Sequence, residues 1–398
     1  MSITISEIAA NSTHLSGNII KVVATTSGAP AGATGYKILL KLISLDSLLV
    51  GSPFLDGKTP DADGKCEFDI SGYLDQHAEK DFAWPIPGQF DGKWQGYEDQ
   101  VYEVQLVPGE RYIDSSGDLV ETYQSAFGTI FAVKGKLNQL VQLQLNDISE
   151  TWFSNYISGG KWLTYMPATQ YVGPHQPVKL WWKPPTTGLT FAFKVKAYYT
   201  DGSTDTYTGS PTMYYNVMFE FDCHPAGLGF TLDDGSKKLQ YYEVWMEGTP
   251  NVEKRTFIID WRPVENNYYL FADNQIGGID CVWLNGAVRY SPEAEKTIAQ
   301  KPYVAGMGTK QRTRYVSDNK RTRKWTINSG FKITPDEIDA LDILLDTPFA
   351  WLAVPPSAGA TDISQYKLVP VIITNTLFDL SDTMRDLYNV EIEIEEAL

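Results

Sequence analysis

The chain has 398 residues, of which 43% are hydrophobic and 21% charged, with a formal charge of −16, the balance of a globular chain rather than a disordered one. That charge argues against wholesale nucleic-acid binding, because a phosphate backbone meets net repulsion before any local patch can act. Cys66, Cys223 and Cys281 stand far apart with no C-x-x-C spacing, so neither a closed zinc site nor a disulfide framework is encoded, and the three read as reduced, buried thiols.

At this length the expectation is two to three domains, each with its own core. Twenty-three tyrosines and 11 tryptophans suit half-buried pleated surfaces and predict a mainly β protein. Residues 1–18 have neither a basic start nor a long apolar core, and no stretch approaches 18 uninterrupted apolar residues, so the expectation is cytoplasmic synthesis without a secretory signal or membrane span.

In chain order, Asn18–Thr25, Tyr36–Ile43 and Gly64–Ile70 read as short strands punctuated by Gly- and Pro-rich turns, and Val101–Val133 adds a hairpin turning at Ser116-Gly117. Residues 1–135 are therefore expected to form a β-sandwich of immunoglobulin or fibronectin III type. Residues 136–188, rich in Trp and Pro and without a clear helical period, read as a connecting segment packed on the sheets. A second sandwich is expected over 189–265, where large apolar and polar side chains alternate with period two. The last segment, 266–398, is predicted to be a β-rich domain with one amphipathic helix in "TPDEIDALDILLDTP". There Thr334 is the cap, Pro335 sits in the first turn, Glu337 completes a capping box, and Ile338, Leu341 and Leu345 form the apolar stripe. "SPEAEKTIAQKP" reads as a strand, and "LYNVEIEIEEAL" as a terminal strand with Glu391, Glu393 and Glu395 on one face.

Catalytic signals are sparse. Gly277-Gly278 joins two strands, whereas a dinucleotide loop leads into a helix, so the pair reads as a turn. The acidic turns at Asp61/Asp63 and Asp201/Asp205 lack the distal bidentate Glu of a calcium loop and read as turn devices. His14, His77, His175 and His224 are too scattered for a metal triad, and Cys223 and His224, adjacent on a strand, point to opposite faces. No G-x-S-x-G or H-E-x-x-H occurs, and among 49 acidic residues nothing selects a carboxylate pair for glycoside hydrolysis. No cofactor, metal or enzymatic activity is expected. Trp152, Trp162, Trp181, Trp182, Trp245 and Trp261 are the candidates for stacking on a glycan, with core or interface anchoring as the plainer role.

The most unusual stretch is "KQRTRYVSDNKRTRKW", which gathers Lys310, Arg312, Arg314, Lys320, Arg321, Arg323 and Lys324. Alternation puts guanidinium groups on one face of each of two strands around a turn expected at Asp318-Asn319. Such a ribbon could meet nucleic acid, pair with carboxylates of a neighbouring subunit such as Glu391, Glu393 and Glu395, or be an ordinary solvated hairpin.

Residues 266–398 resemble structural proteins of tail tips and baseplates of bacteriophages and prophages of Bacteroides-type bacteria. The likeness lies in "NNYYLFADNQIGGIDCVWLNG", "SGFKITPDEIDALDILLDTPFAWL", "KLVPVIITN" and "LYNVEIEIEEAL", and in their order. It implies a non-enzymatic virion component, distal-tail-like by analogy, made in the host bacterial cytoplasm and assembling with copies of itself and other tail proteins into a ring or hub, without direct nucleic-acid or membrane contact. Arg312, Arg314, Arg321, Arg323 and Lys324 on one side, and Glu391, Glu393 and Glu395 on the other, are then the expected subunit interface. The alternatives are a glycan-binding or adhesion module and, further off, a tail-associated hydrolase.

Overall fold

The computed structural model describes residues 2–45, 54–78, 80, 93–186, 188–264, 266–300, 314–330, 334–357, 359–375 and 390–397. The protein is mainly β, and its chain divides into two compact units. Unit 1 comprises Met1–Thr164, Val178–Thr256 and Asn274–Ile279; unit 2 comprises Tyr165–Pro177, Phe257–Asp273 and Asp280–Leu398. This partition departs from the four consecutive segments read from the sequence, because strands from distant parts of the chain share sheets.

Unit 1 begins with a sandwich. One layer pairs Ile3–Ser6, Lys21–Thr26 and Lys65–Asp69; the other orders Thr13–Leu15, Gly128–Val133, Val101–Ile113, Thr34–Ser44 and Phe54–Lys58, with Leu119–Tyr123 on the flank. Alternation along Thr34–Ser44 sends Tyr36, Ile38, Leu40 and Leu42 into a core shared with Val22, Ala24, Phe68, Val104, Leu106 and Ile130. Each fully buried Ile, Leu or Phe contributes ~1.5–3 kcal/mol. The hairpin between Val101–Ile113 and Leu119–Tyr123 turns where expected, with the Asp114 carboxylate accepting the Ser116 and Asp118 amides.

A second pair of layers follows within the same unit. Ala192–Tyr199 lies between Thr204–Gly209 and Leu239–Glu247, with Phe193, Val195 and Ala197 buried and Lys194 and Lys196 on the opposite face. The other layer orders Lys179–Trp182, Met218–Asp222 and Trp94–Tyr97. Phe193 and Phe221 meet at 4.8 Å between ring centroids, and Trp162 packs edge-on against Phe221 at 5.4 Å.

The segment 136–188 is thus no mere connection. It supplies a buried strand, Lys179–Trp182, and the fully buried Trp162, Trp181 and Trp182. It also holds a helix, Gln139–Asp147, and a π-helical turn, Phe153–Ser158, that the period-two spacing of Val141, Leu143 and Leu145 concealed. In that helix Leu145 is buried while Leu143 is exposed.

Two lysines are among the buried polar groups of the unit 1 core. Lys179 pairs with Glu220, whose carboxyl is pushed up by burial against the pull of that ammonium. Lys183, 1% exposed, donates to Thr13 Oγ1 at 3.1 Å and lies 5.7 Å from the Phe131 ring centre. Burial brings its pKa from the ordinary 10.5 down to about 7, opposed only by the Glu103 charge.

Unit 2 is built on a seven-stranded sheet ordered Ile279–Leu284, Tyr268–Asp273, Ala350–Val354, Lys367–Ile373, Glu391–Glu396, Lys324–Asn328 and Val288–Tyr290. The expected helix covers one face as Pro335–Leu345, with Ile338, Leu341, Leu344 and Leu345 packed on Trp325, Ile327, Ile392 and Ile394. Thr334 Oγ1 accepts the Glu337 amide at 3.4 Å, as a cap should. The Glu337 carboxylate, 4% exposed, accepts the Tyr171 amide at 2.9 Å and so ties Tyr165–Pro177 to the helix start. No helix among the described residues is long and apolar enough to cross a membrane.

Two outcomes follow. Between pH 7 and pH 10.5 the unfolded chain keeps the Lys183 proton while the folded chain releases it, so this group makes stability rise with pH, by at most about 1.4 kcal/mol per unit. Urea midpoints measured across that range should therefore climb less steeply in Lys183→Met than in the wild type; equal slopes would show that Lys183 remains charged. At Gly278 an added Cβ would lie 2.2 Å from the Leu163 carbonyl oxygen, so Gly278→Ala should cost roughly 1–3 kcal/mol in the same assay.

Candidate assembly surface

The residues around Gly277-Gly278 build a closed turn. Asn274 Oδ1 accepts the amides of Ile276 and Gly278, and its Nδ2 donates to the Leu163 carbonyl at 2.6 Å. The amides a phosphate would need are already committed to a turn, and Gly277 adopts φ +109° to make it. The acidic turns are similarly closed: Asp61 Oδ1 accepts the Asp63 and Lys65 amides, and Asp201 Oδ1 accepts the Ser203 amide. Among the described residues no group of three or more His, Cys, Asp or Glu could hold a metal. Cys223 and His224 lie just beyond the Met218–Asp222 strand, both buried.

Four of the six candidate tryptophans are buried, and Trp245 and Trp261 are half-buried. Trp152, Trp162, Trp181 and Trp182 are at most 4% exposed, and Trp245 is half-buried with Lys254 Nζ over its ring at 4.7 Å. A cavity of about 190 Å³ in unit 2 is lined by His175, Arg262, Tyr269 and Trp283, smaller than the ~300 Å³ at which small-molecule sites begin. Its guanidinium is already engaged by Asp260 through Nε at 2.9 Å.

The feature that stands apart is an arm in unit 2, formed by Glu293–Gln300 paired antiparallel with Arg314–Thr322. The "SPEAEKTIAQKP" strand is present, and the basic stretch pairs with it instead of forming a hairpin of its own. Asp318-Asn319 makes no turn; it lies inside a continuous strand beside a bulge, where Ser317 is the extra residue between the Thr297–Asp318 and Ile298–Val316 pairs. The polar pair that reads as a turn relieves this irregularity: Asp318 Oδ1 accepts the Asn319 amide, and Ser317 Oγ donates to the Thr297 carbonyl.

Nearly every described residue of the arm is exposed, on both faces. Ile298, Tyr315 and Val316 are 65%, 45% and 50% exposed. Residues directly opposite on an antiparallel ladder share a face, so the register sorts the charges. One face carries Lys296, Arg314 and Arg321 with Ala294, Ile298 and Val316; the other carries Glu293, Glu295, Asp318 and Lys320 with Tyr315.

The sequence-derived interface residues divide into two groups. Arg323 grips Glu396 with Nε and Nη2, holding that carboxyl below its usual range, and the guanidinium lies 5.9 Å from the Trp325 ring centre. Lys324 bridges Glu293 at 3.0 Å and Glu395 at 3.4 Å, and its pKa is raised by those carboxylates. These charges are satisfied within the chain, because Lys324–Asn328 and Glu391–Glu396 are neighbouring strands with Lys324 opposite Glu395. Arg314 and Arg321 on the arm, and Glu391 and Glu393 on the sheet, are exposed and form no ion pair among the described residues. Lys296, which the sequence reading passed over, joins them; only the partner strand's register reveals it. Arg312 lies outside the described residues.

No protein-family profile and no curated protein sequence matches the chain. Among solved structures it is similar to a chain in the virion of a native gene transfer agent (GTA) particle, at 18% identity, 33% coverage of this chain, 91% of that one and a TM-score of 0.22. A chain in the tail of an empty GTA particle with C6 symmetry is similar at 18% identity, with 33% and 90% coverage and a TM-score of 0.23. Invasin, a bacterial integrin-binding protein, is similar at 10% identity, with 98% and 74% coverage and a TM-score of 0.22. At these scores the likenesses define neither a shared fold nor an activity.

Proposed function

We propose that the protein is a non-enzymatic structural subunit of a bacteriophage virion tail or baseplate, assembling through subunit contacts into a ring or hub. The observation that carries this reading is the arm. A two-stranded ribbon is marginal in water unless something covers it, and this one presents Ile298, Tyr315 and Val316 to solvent along strands of eight and nine residues. Among the described residues no further strand pairs with either edge of the arm; such edges and apolar side chains are a liability in a monomer and an asset in an assembly. The sequence resemblance over 266–398 supplies the virion context, and the aromatic strands, basic ribbon, capped helix and acidic strand that carry it all contribute to unit 2.

Static light scattering of the purified protein across a salt series tests the reading. A discrete oligomer, six-fold or a multiple of three, is the expected result. A protein that stays monomeric at every salt concentration, alone and when mixed with a tail fraction, would overturn it.

A further inference from the structure

The arm's two faces differ in charge, and that difference selects a partner. The basic face combines three unpaired cations, Lys296, Arg314 and Arg321, with an aliphatic pair, Ile298 and Val316. The same chain displays a counterpart on its seven-stranded sheet. Along Glu391–Glu396 the odd-numbered carboxylates point away from the helix-covered core, Glu391 and Glu393 being exposed, while Ile392 and Ile394 point into it. Beside them, opposite Glu395 in the ladder, Ile372 is 56% exposed.

We infer that the basic face of the arm docks on the carboxylate face of the sheet in a second copy of this chain, with Lys296, Arg314 and Arg321 meeting Glu391 and Glu393 and the Ile298–Val316 pair covering Ile372. This deepens the assembly reading above and rests on it. The match is of chemistry and layout: cations flank an aliphatic centre on one surface, and a row of carboxylates runs along the strand beside an exposed isoleucine on the other. Charges bound within the chain, Arg323–Glu396 and Glu293–Lys324–Glu395, are spent on fixing the arm's root; those left unpaired are the ones placed to select a neighbour. Because the two surfaces are different patches of one subunit, the contact is heterologous and propagates head to tail, closing a ring if the rotation allows. A nucleic-acid partner fits less well, since the acidic face carrying Glu293, Glu295 and Asp318 lies directly behind the basic one and would repel a phosphate backbone.

Charge exchange tests this. One variant combines Arg314→Glu and Arg321→Glu; a second combines Glu391→Lys and Glu393→Lys. All four sites are on the exposed surface. Light scattering should show each variant weakened in assembly by at least about tenfold. An equimolar mixture should reassociate, and regain the wild-type oligomer where the subunit number is even, because each reversed surface now meets a complementary one on the other variant; a chain carrying all four changes should regain it alone whatever the number. If the wild type is oligomeric and either variant keeps its mass, or the mixture stays dissociated, this contact is wrong and the assembly reading survives. A wild type that stays monomeric both alone and when mixed with a tail fraction sinks both.

Discussion

Arg323 and Lys324 occupy the junction between the arm and the seven-stranded sheet, and the ion pairs they make there decide which charges are left for anything outside the chain. A guanidinium forked onto Glu396 and an ammonium shared between Glu293 and Glu395 set the direction of a ribbon that has no core of its own. The exposed pairs of Lys324 stabilise little singly, ~0–1 kcal/mol. Their effect is on geometry: they hold the first residues of the arm against the sheet edge and leave the rest free to be covered. The unpaired basic and acidic groups are what remains after that internal matching.

Unit 1 follows a different logic. Its second pair of layers is filled with aromatic rings from three stretches of sequence, and the ionisable groups buried there, Lys179 with Glu220 and Lys183 with Thr13, are each tied to one side of a sheet. Removing one member of a buried ion pair leaves an uncompensated charge, so the pair restricts which strands can lie side by side. That restriction suits a protein whose surfaces must present one fixed shape.

Much of this was legible in the sequence where a residue pattern has a local cause. Turn-punctuated runs located several strands of the first sandwich, and period-two alternation those between Ala192 and Ile259; Thr334 and Pro335 located the helix; Asp-initiated turns were turns because their carboxylates accept amides two to four residues on. What escaped was non-local. The Gln139–Asp147 helix hid behind a strand-like spacing, and Asp318-Asn319 lies inside a strand beside a bulge because the basic stretch pairs with Glu293–Gln300 rather than folding back on itself. The division of Arg314 and Arg321 from Arg323 and Lys324 depends on which strand lies beside which, and no property of "KRTRKW" itself encodes that.

The short strand Trp94–Tyr97 pairs with Met218–Asp222, more than a hundred residues further along the chain. A polypeptide that lays its early residues into a layer completed much later cannot be divided at residue 135 or 188 into independently folding pieces. Mechanically this is a seam: tension applied between the two sandwiches of unit 1 would act along paired antiparallel strands and shear several hydrogen bonds at once, rather than straighten a linker. A component that must pass on load within a larger particle gains stiffness from such stitching, and it does so without a disulfide, since Cys66, Cys223 and Cys281 are all free thiols.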